Sequence, residues 1–170
     1  MALIDIARYA VAAVLLGLLT WASVSDIKDR KIPNTCVLAV LGLFVVSAAI
    51  ERGSTLVSAL EAGGIAFAVT FALYYFNVIG AGDCKLFAAV ALFAGLNGML
   101  LFTLATVFAG GGIAAVSLAT RPRRALVMYT LKGKGDFGRG IPYGVAIAIG
   151  GVVTVWAQLQ HYPMPSFTSL

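Results

Sequence analysis

LFAAVALFAGLNGMLLFTLATVFAGGGIAAVSLAT, residues 86–120, carries no charged side chain from end to end. As one helix, at about 1.5 Å per residue, it would exceed roughly 50 Å, against a bilayer hydrocarbon core of about 30 Å. The stretch is too long for one crossing, so it must fold back. Gly95-Leu96-Asn97-Gly98 is the natural turn, because glycine and asparagine punctuate helices. Two spans therefore lie within it.

Four more apolar segments flank this one. Residues 9–25 form the body of a first span, near the lower limit of about 17 residues. A second runs over 33–50, with Pro33 suited to a helix's first turn, a third over 55–78, and the last over 141–159. Composition agrees: 61% of the residues are hydrophobic, only 11% are charged and the mean hydropathy is +0.97, whereas a soluble domain carries about a quarter charged residues. The expectation is an all-α polytopic membrane protein of about six transmembrane helices, a single domain over 1–170 with no room for a second large one. Ala22-Ser23-Val24-Ser25 is loosely cleavage-like, but Asp5 offsets Arg8, so the first segment lacks the basic start of a signal peptide and is expected to stay.

The formal net charge of +5 is distributed by side. Of 12 Lys and Arg residues, only Arg8 and Arg52 fall outside; Lys28, Arg30, Lys31, Lys85, Arg121, Arg123, Arg124, Lys132, Lys134 and Arg139 fall on the other face. The positive-inside rule places those ten in the cytoplasm and both termini on the outer side. The basic charge thus orients the chain and contacts lipid headgroups, and nucleic-acid binding is not expected. The loop 120–140 has a stretch, Arg123 to Lys132, able to lie along the headgroups as an amphipathic helix. Glycines at Gly110-Gly111-Gly112 and Gly63-Gly64 suit close helix approach, with a kink as the competing reading.

Two polar islands interrupt the apolar chain: Ser25-Asp26-Ile27-Lys28-Asp29-Arg30-Lys31-Ile32-Pro33-Asn34 and Gly80-Ala81-Gly82-Asp83-Cys84-Lys85. A carboxylate at the edge of a bilayer is costly, so its default reading is functional. Asp26 and Asp83 occupy the same expected membrane depth. Two carboxylates at close range cannot both ionise comfortably, and such a pair is the minimal equipment for acid–base hydrolysis of a peptide bond. Gly80 and Gly82 would let backbone approach an extended substrate strand. Asp29, between Lys28 and Arg30, reads as a solvated loop charge, and spacing and charge alone leave that reading open for Asp26 and Asp83 too. Gly133-Lys134-Gly135-Asp136 repeats the glycine–aspartate pattern in a basic loop with no apolar helix directly after it, and reads as flexible loop. Glu61 lies inside the third span as a secondary proton- or ion-site candidate, and His161 is given no role. Cys36 and Cys84 form no Cys-x-x-Cys pair, so they read as small apolar filler, not as metal ligands.

The islands resemble those of the type IV prepilin peptidases, specifically the short Tad/Cpa-type branch that processes Flp-like pilins. The resemblance rests on Asp26 followed by Lys28, Arg30 and Ile32-Pro33-Asn34, on Gly80-Ala81-Gly82-Asp83-Cys84-Lys85-Leu86, and on Ile141-Pro142-Tyr143-Gly144 opening the last span. It implies an intramembrane aspartyl protease of the Gly-x-Gly-Asp class in the bacterial inner membrane, with Asp26 and Asp83 as the catalytic pair. Gly80, Gly82, Lys85, Pro33, Asn34, Pro142 and Gly144 then belong to the substrate-facing loops. The implied substrate is a prepilin whose short basic leader ends in glycine ahead of a hydrophobic helix, cut at the cytoplasmic face without metal or organic cofactor. Larger relatives also methylate the new N-terminus and carry a cysteine-rich domain; this chain lacks those cysteines, so methylation is not implied. The resemblance favours Asp83 over Asp136. Two other classes stand beside this reading: a small proton- or ion-coupled transporter relaying through Asp26, Glu61 and Asp83, and a non-catalytic scaffold of a secretion machine.

Overall fold

Without water to bond to, a backbone crossing lipid must satisfy its own N–H and C=O groups, and in this chain it does so as helix. The computed structural model describes residues 2–51, 55–119 and 143–161; the loop 120–140 with its Asp136, and Pro142, lie outside them. The described residues form α1 (Ala2–Asp29), α2 (Asn34–Ile50), α3 (Leu56–Tyr75), α4 (Ala81–Ala119) and α5 (Tyr143–His161). Segments within α1, α3, α4 and α5 are long and apolar enough to cross a membrane, and α2, with 17 residues, is a shorter apolar helix.

α4 is one helix only in name. Gly95 interrupts it at φ 60 and ψ 178, a conformation essentially reserved for glycine. The chain reverses there: the rings of Phe87 and Phe102 lie 4.6 Å apart, where a straight helix would hold them about 22 Å apart. The fold-back read from residues 95–98 thus pivots on Gly95. The reversal frees backbone groups, and side chains take them up. Ser58 Oγ accepts the Leu96 N–H at 3.0 Å, and the Gln158 amide donates to the carbonyls of Phe93 and Ala94, each at 3.1 Å. Gln158 and Ser58 are the polar residues that make a broken helix tolerable at membrane depth.

The two arms of α4 form the centre. α5 and α3 pack on them most extensively, α1 packs on α5 and α2, and α2 closes back on α4. Leu15, Leu19, Cys36, Val40, Leu86 and Phe102 are fully buried between these helices. Close packing rests on small residues: a side chain at Gly150 would strike Thr106, and one at Gly63 would strike Leu92. The neighbouring expectation is corrected in part. Gly64, Gly111 and Gly112 face open space, and α4 passes through Gly110–Gly112 without non-helical backbone, so no kink forms there.

Chain direction alternates, which sorts the ends. The C-terminus of α1 and the N-termini of α2, α4 and α5 gather at one end. At the other, Arg8, Glu51, Ser58, Gly95 and Gln158 line one cavity of about 400 Å³. Arg8 pairs there with Glu51 at 3.3 Å, and Thr55 Oγ1 donates to the same carboxylate at 2.8 Å.

Candidate active site

α1 outlasts its apolar stretch and runs through Asp26 to Asp29. Lys28 in the last turn suits the negative end of the helix dipole. Arg30 then takes a left-handed conformation, φ 54, and its N–H bonds the Asp26 carbonyl at 3.1 Å, the αL form of helix termination. Ser25 Oγ donates to the Lys31 carbonyl at 3.0 Å and holds the turn against the helix. Pro33 is the N-cap of α2, with extended backbone (ψ 135), one position before the first turn expected for it. Its carbonyl accepts the Cys36 N–H at 3.0 Å. Asp26 is thereby fixed in the last turn of a helix and is 7% exposed.

Asp83 is fixed from the opposite direction. α3 ends in a Schellman motif: Asn77 is left-handed, φ 59, Val78 N–H bonds Leu73 C=O, and Asn77 N–H bonds Tyr74 C=O, both at 2.9 Å. After this stop α4 starts at once, with Gly80 as its cap. Asp83 reaches back so that its Oδ2 accepts the Gly80 N–H at 3.2 Å, half of a capping box at the positive end of the helix dipole. A hydroxyl–thiol contact of 3.2 Å between Thr70 and Cys84 ties this turn to α3. The cysteines are buried as expected, but each also has a polar contact, Cys36 through its S–H to Leu18 C=O.

Three segments far apart in the chain meet here. The Asp26 Oδ2 accepts the Gly144 N–H at 2.8 Å, so the N-terminus of α5 holds the side chain of α1. A methyl group at Gly144 would lie 2.9 Å from that oxygen and 3.1 Å from the Asp26 Cβ and Cγ. Glycine is what permits the contact. Gly82 sits against Ile32, whose Cβ would be 3.2 Å from any side chain placed there. Lys85 Nζ donates to Asn34 Oδ1 at 3.4 Å. Through these contacts the Gly80–Lys85 turn seats on the Ile32-Pro33-Asn34 turn, and Asp26 and Asp83 come within electrostatic reach of one another. Arg30 lies within reach of Asp26 as well.

The sequence-derived candidates Asp26, Asp83, Gly80, Gly82, Lys85, Pro33, Asn34 and Gly144 thus share one end of the bundle, while Pro142 and Asp136 lie outside the described residues. Asp29 is exposed, and Glu61 is exposed on α3. Among the described residues no group of three or more His, Cys, Asp or Glu could hold a metal ion. The arrangement offers two carboxyl groups at one site, each accepting a backbone N–H at a helix N-terminus, beside a glycine turn open to solvent. Such a pair can share a proton, with one member accepting from water and the other donating. Sequence reading missed Ile32 as the surface on which Gly82 seats, and Ser25 as the brace of the turn. Both stand inside the first island, but nothing in their residue types gives the partner.

A family model described as the type IV leader peptidase family matches residues 13–115. The match takes in both aspartates and both polar islands and stops before Gly144. Neither the curated proteins nor the solved structures gave a match.

Proposed function

This chain belongs to the type IV leader peptidase family, and on that premise we propose that it is an aspartic endopeptidase whose catalytic pair is Asp26 and Asp83. The observation that carries the reading is the convergence of these two carboxyl groups from α1 and α4, with Gly144 of α5 holding one of them. In the reaction, the charged carboxylate takes a proton from water as the oxygen attacks the scissile carbonyl. The protonated partner donates toward the carbonyl oxygen as negative charge develops there. A tetrahedral diol forms. It collapses as the C–N bond breaks and the departing amine takes a proton from the pair. No acyl-enzyme arises, because the nucleophile is water.

The substrate in this reading is a Flp-like prepilin, with a short basic leader ending in glycine before an apolar helix. The Gly80–Gly82 turn presents the exposed backbone against which an extended segment can lie. The enzyme is a multi-pass protein of the bacterial inner membrane with six spans, the arms of α4 counting as two. Its aspartate end faces the cytoplasm, as the ten-to-two division of Lys and Arg supports. Both termini then face outward, consistent with the start of α1 and the end of α5 sharing the opposite end.

The test is co-expression with a candidate pilin precursor and a mass measurement of the pilin N-terminus. Wild-type enzyme is expected to give a product cut after the leader glycine, and the same mass reports whether a methyl group is added. Asp83→Asn is expected to leave the precursor whole. A mature N-terminus in the Asp83→Asn strain would remove the assignment.

A further inference from the structure

A cleft opens on the flank of the bundle beside the aspartates. α2 and α3 both pack on α4 but barely touch each other. Between them lies a space of about 510 Å³, floored by Ala88 and Ala89 and walled by Leu38, Leu41 and Phe67. The protein does not fill it: Leu38 is 65% exposed and Phe67 47%. Its lining runs from Asn34 to Leu41 on α2 and from Lys85 to Leu92 on α4, about two helical turns or 10 Å on each. Only Asn34 and Lys85 are polar, and they are the bridged pair at the aspartate end. The mouth of the cleft is therefore the bridge that joins the Gly80–Lys85 turn to the Ile32-Pro33-Asn34 turn of the site.

We propose that this cleft seats the first two turns of the substrate's apolar helix, which rests on the reading of the chain as a prepilin-cleaving enzyme. The required occupant is apolar for two turns and then becomes extended and polar where it meets the aspartates. A helix followed by an unwound neck has that pattern; a lipid acyl chain fills the apolar part but offers no amide to the carboxyl groups. The alanine floor lets a helix backbone approach closely. Lys85 stands at the mouth, bonded to Asn34.

The experiment uses the full chain in membranes. A photo-crosslinking phenylalanine analogue is placed at Leu38, at Phe67, or at Val107 on an exposed face of α4 away from the cleft, each with Asp83→Asn to keep the precursor uncut. Adducts with the precursor are expected from Leu38 and Phe67 and not from Val107. Adducts from Val107 alone, or from none of the three, overturn the proposal. In the active enzyme, Leu38→Trp is expected to raise KM for the membrane-anchored precursor about tenfold with kcat within about twofold of wild type, and Val107→Trp to change neither. An unchanged KM in Leu38→Trp also overturns it. The proteolytic reading fails separately: there, wild-type and Asp83→Asn enzymes process the precursor alike.

Discussion

The two ends of the bundle handle charge and backbone in opposite ways. At the far end Glu51 is matched with Arg8 and Thr55, and the groups freed by the Gly95 reversal are taken up by Ser58 and Gln158. There, polar residues complete the fold. At the aspartate end two acidic side chains are drawn together by three chain segments. On the proposed reading, the protein separates a structural polar end from a reactive one.

That contrast can be broken by substitutions, beginning with the carboxylates. Asp26→Asn and Asp83→Asn each keep shape and remove the proton exchange, so leader removal is expected to fall by about a thousandfold or more while insertion and thermal stability hold. Gly144→Ala comes next. Its methyl would press on Asp26, and a displacement near 1 Å is expected to lower the cleavage rate about a hundredfold. A Gly144→Ala enzyme of wild-type rate would show that the α5 contact is dispensable.

Substitutions at the far end should act on stability instead. Gly95→Ala forces a side chain into a backbone region that only glycine occupies comfortably, costing about 1–3 kcal/mol. Its Tm in detergent should fall by about 5 °C, with the rate per folded molecule unchanged. Arg8→Met or Glu51→Gln removes a partly exposed pair worth about 1 kcal/mol, and a double-mutant cycle on Tm should show the coupling. Loss of cleavage in either, at unchanged Tm, would erase the distinction between the ends. The smallest effect is expected from Asp136→Asn, whose pilin processing should match wild type.

Much of this contrast could be read from residue types, and its failures have physical causes. Leu86–Thr120 declares a reversal by length and lack of charge alone, and Gly95 executes it. Asp26 and Asp83 stand out because carboxylates are rare in apolar surroundings. What the sequence conceals is partnership. Arg8 lies in α1 and Glu51 just past the end of α2, and no periodicity links them. Gln158 looks like a stray polar residue near the end of a span until the Phe93 and Ala94 carbonyls appear beside it. The end of α1 is harder to place, because charge suggests a loop, whereas Asp26 and Lys28 continue the helix to Asp29. Glycine pairs mislead for a related reason: Gly63 and Gly64 are identical as residues, but only one faces a neighbour.

The most direct test of the paired-acid account compares residual leader removal in Asp26→Asn, Asp83→Asn and the double variant, with equal amounts of folded enzyme. Two groups that act as one unit give the same floor whether one or both are lost, so all three rates are expected to coincide, at least about a thousandfold below wild type. A single variant that retains near wild-type turnover, or a double variant whose loss is the product of two partial losses, would contradict it.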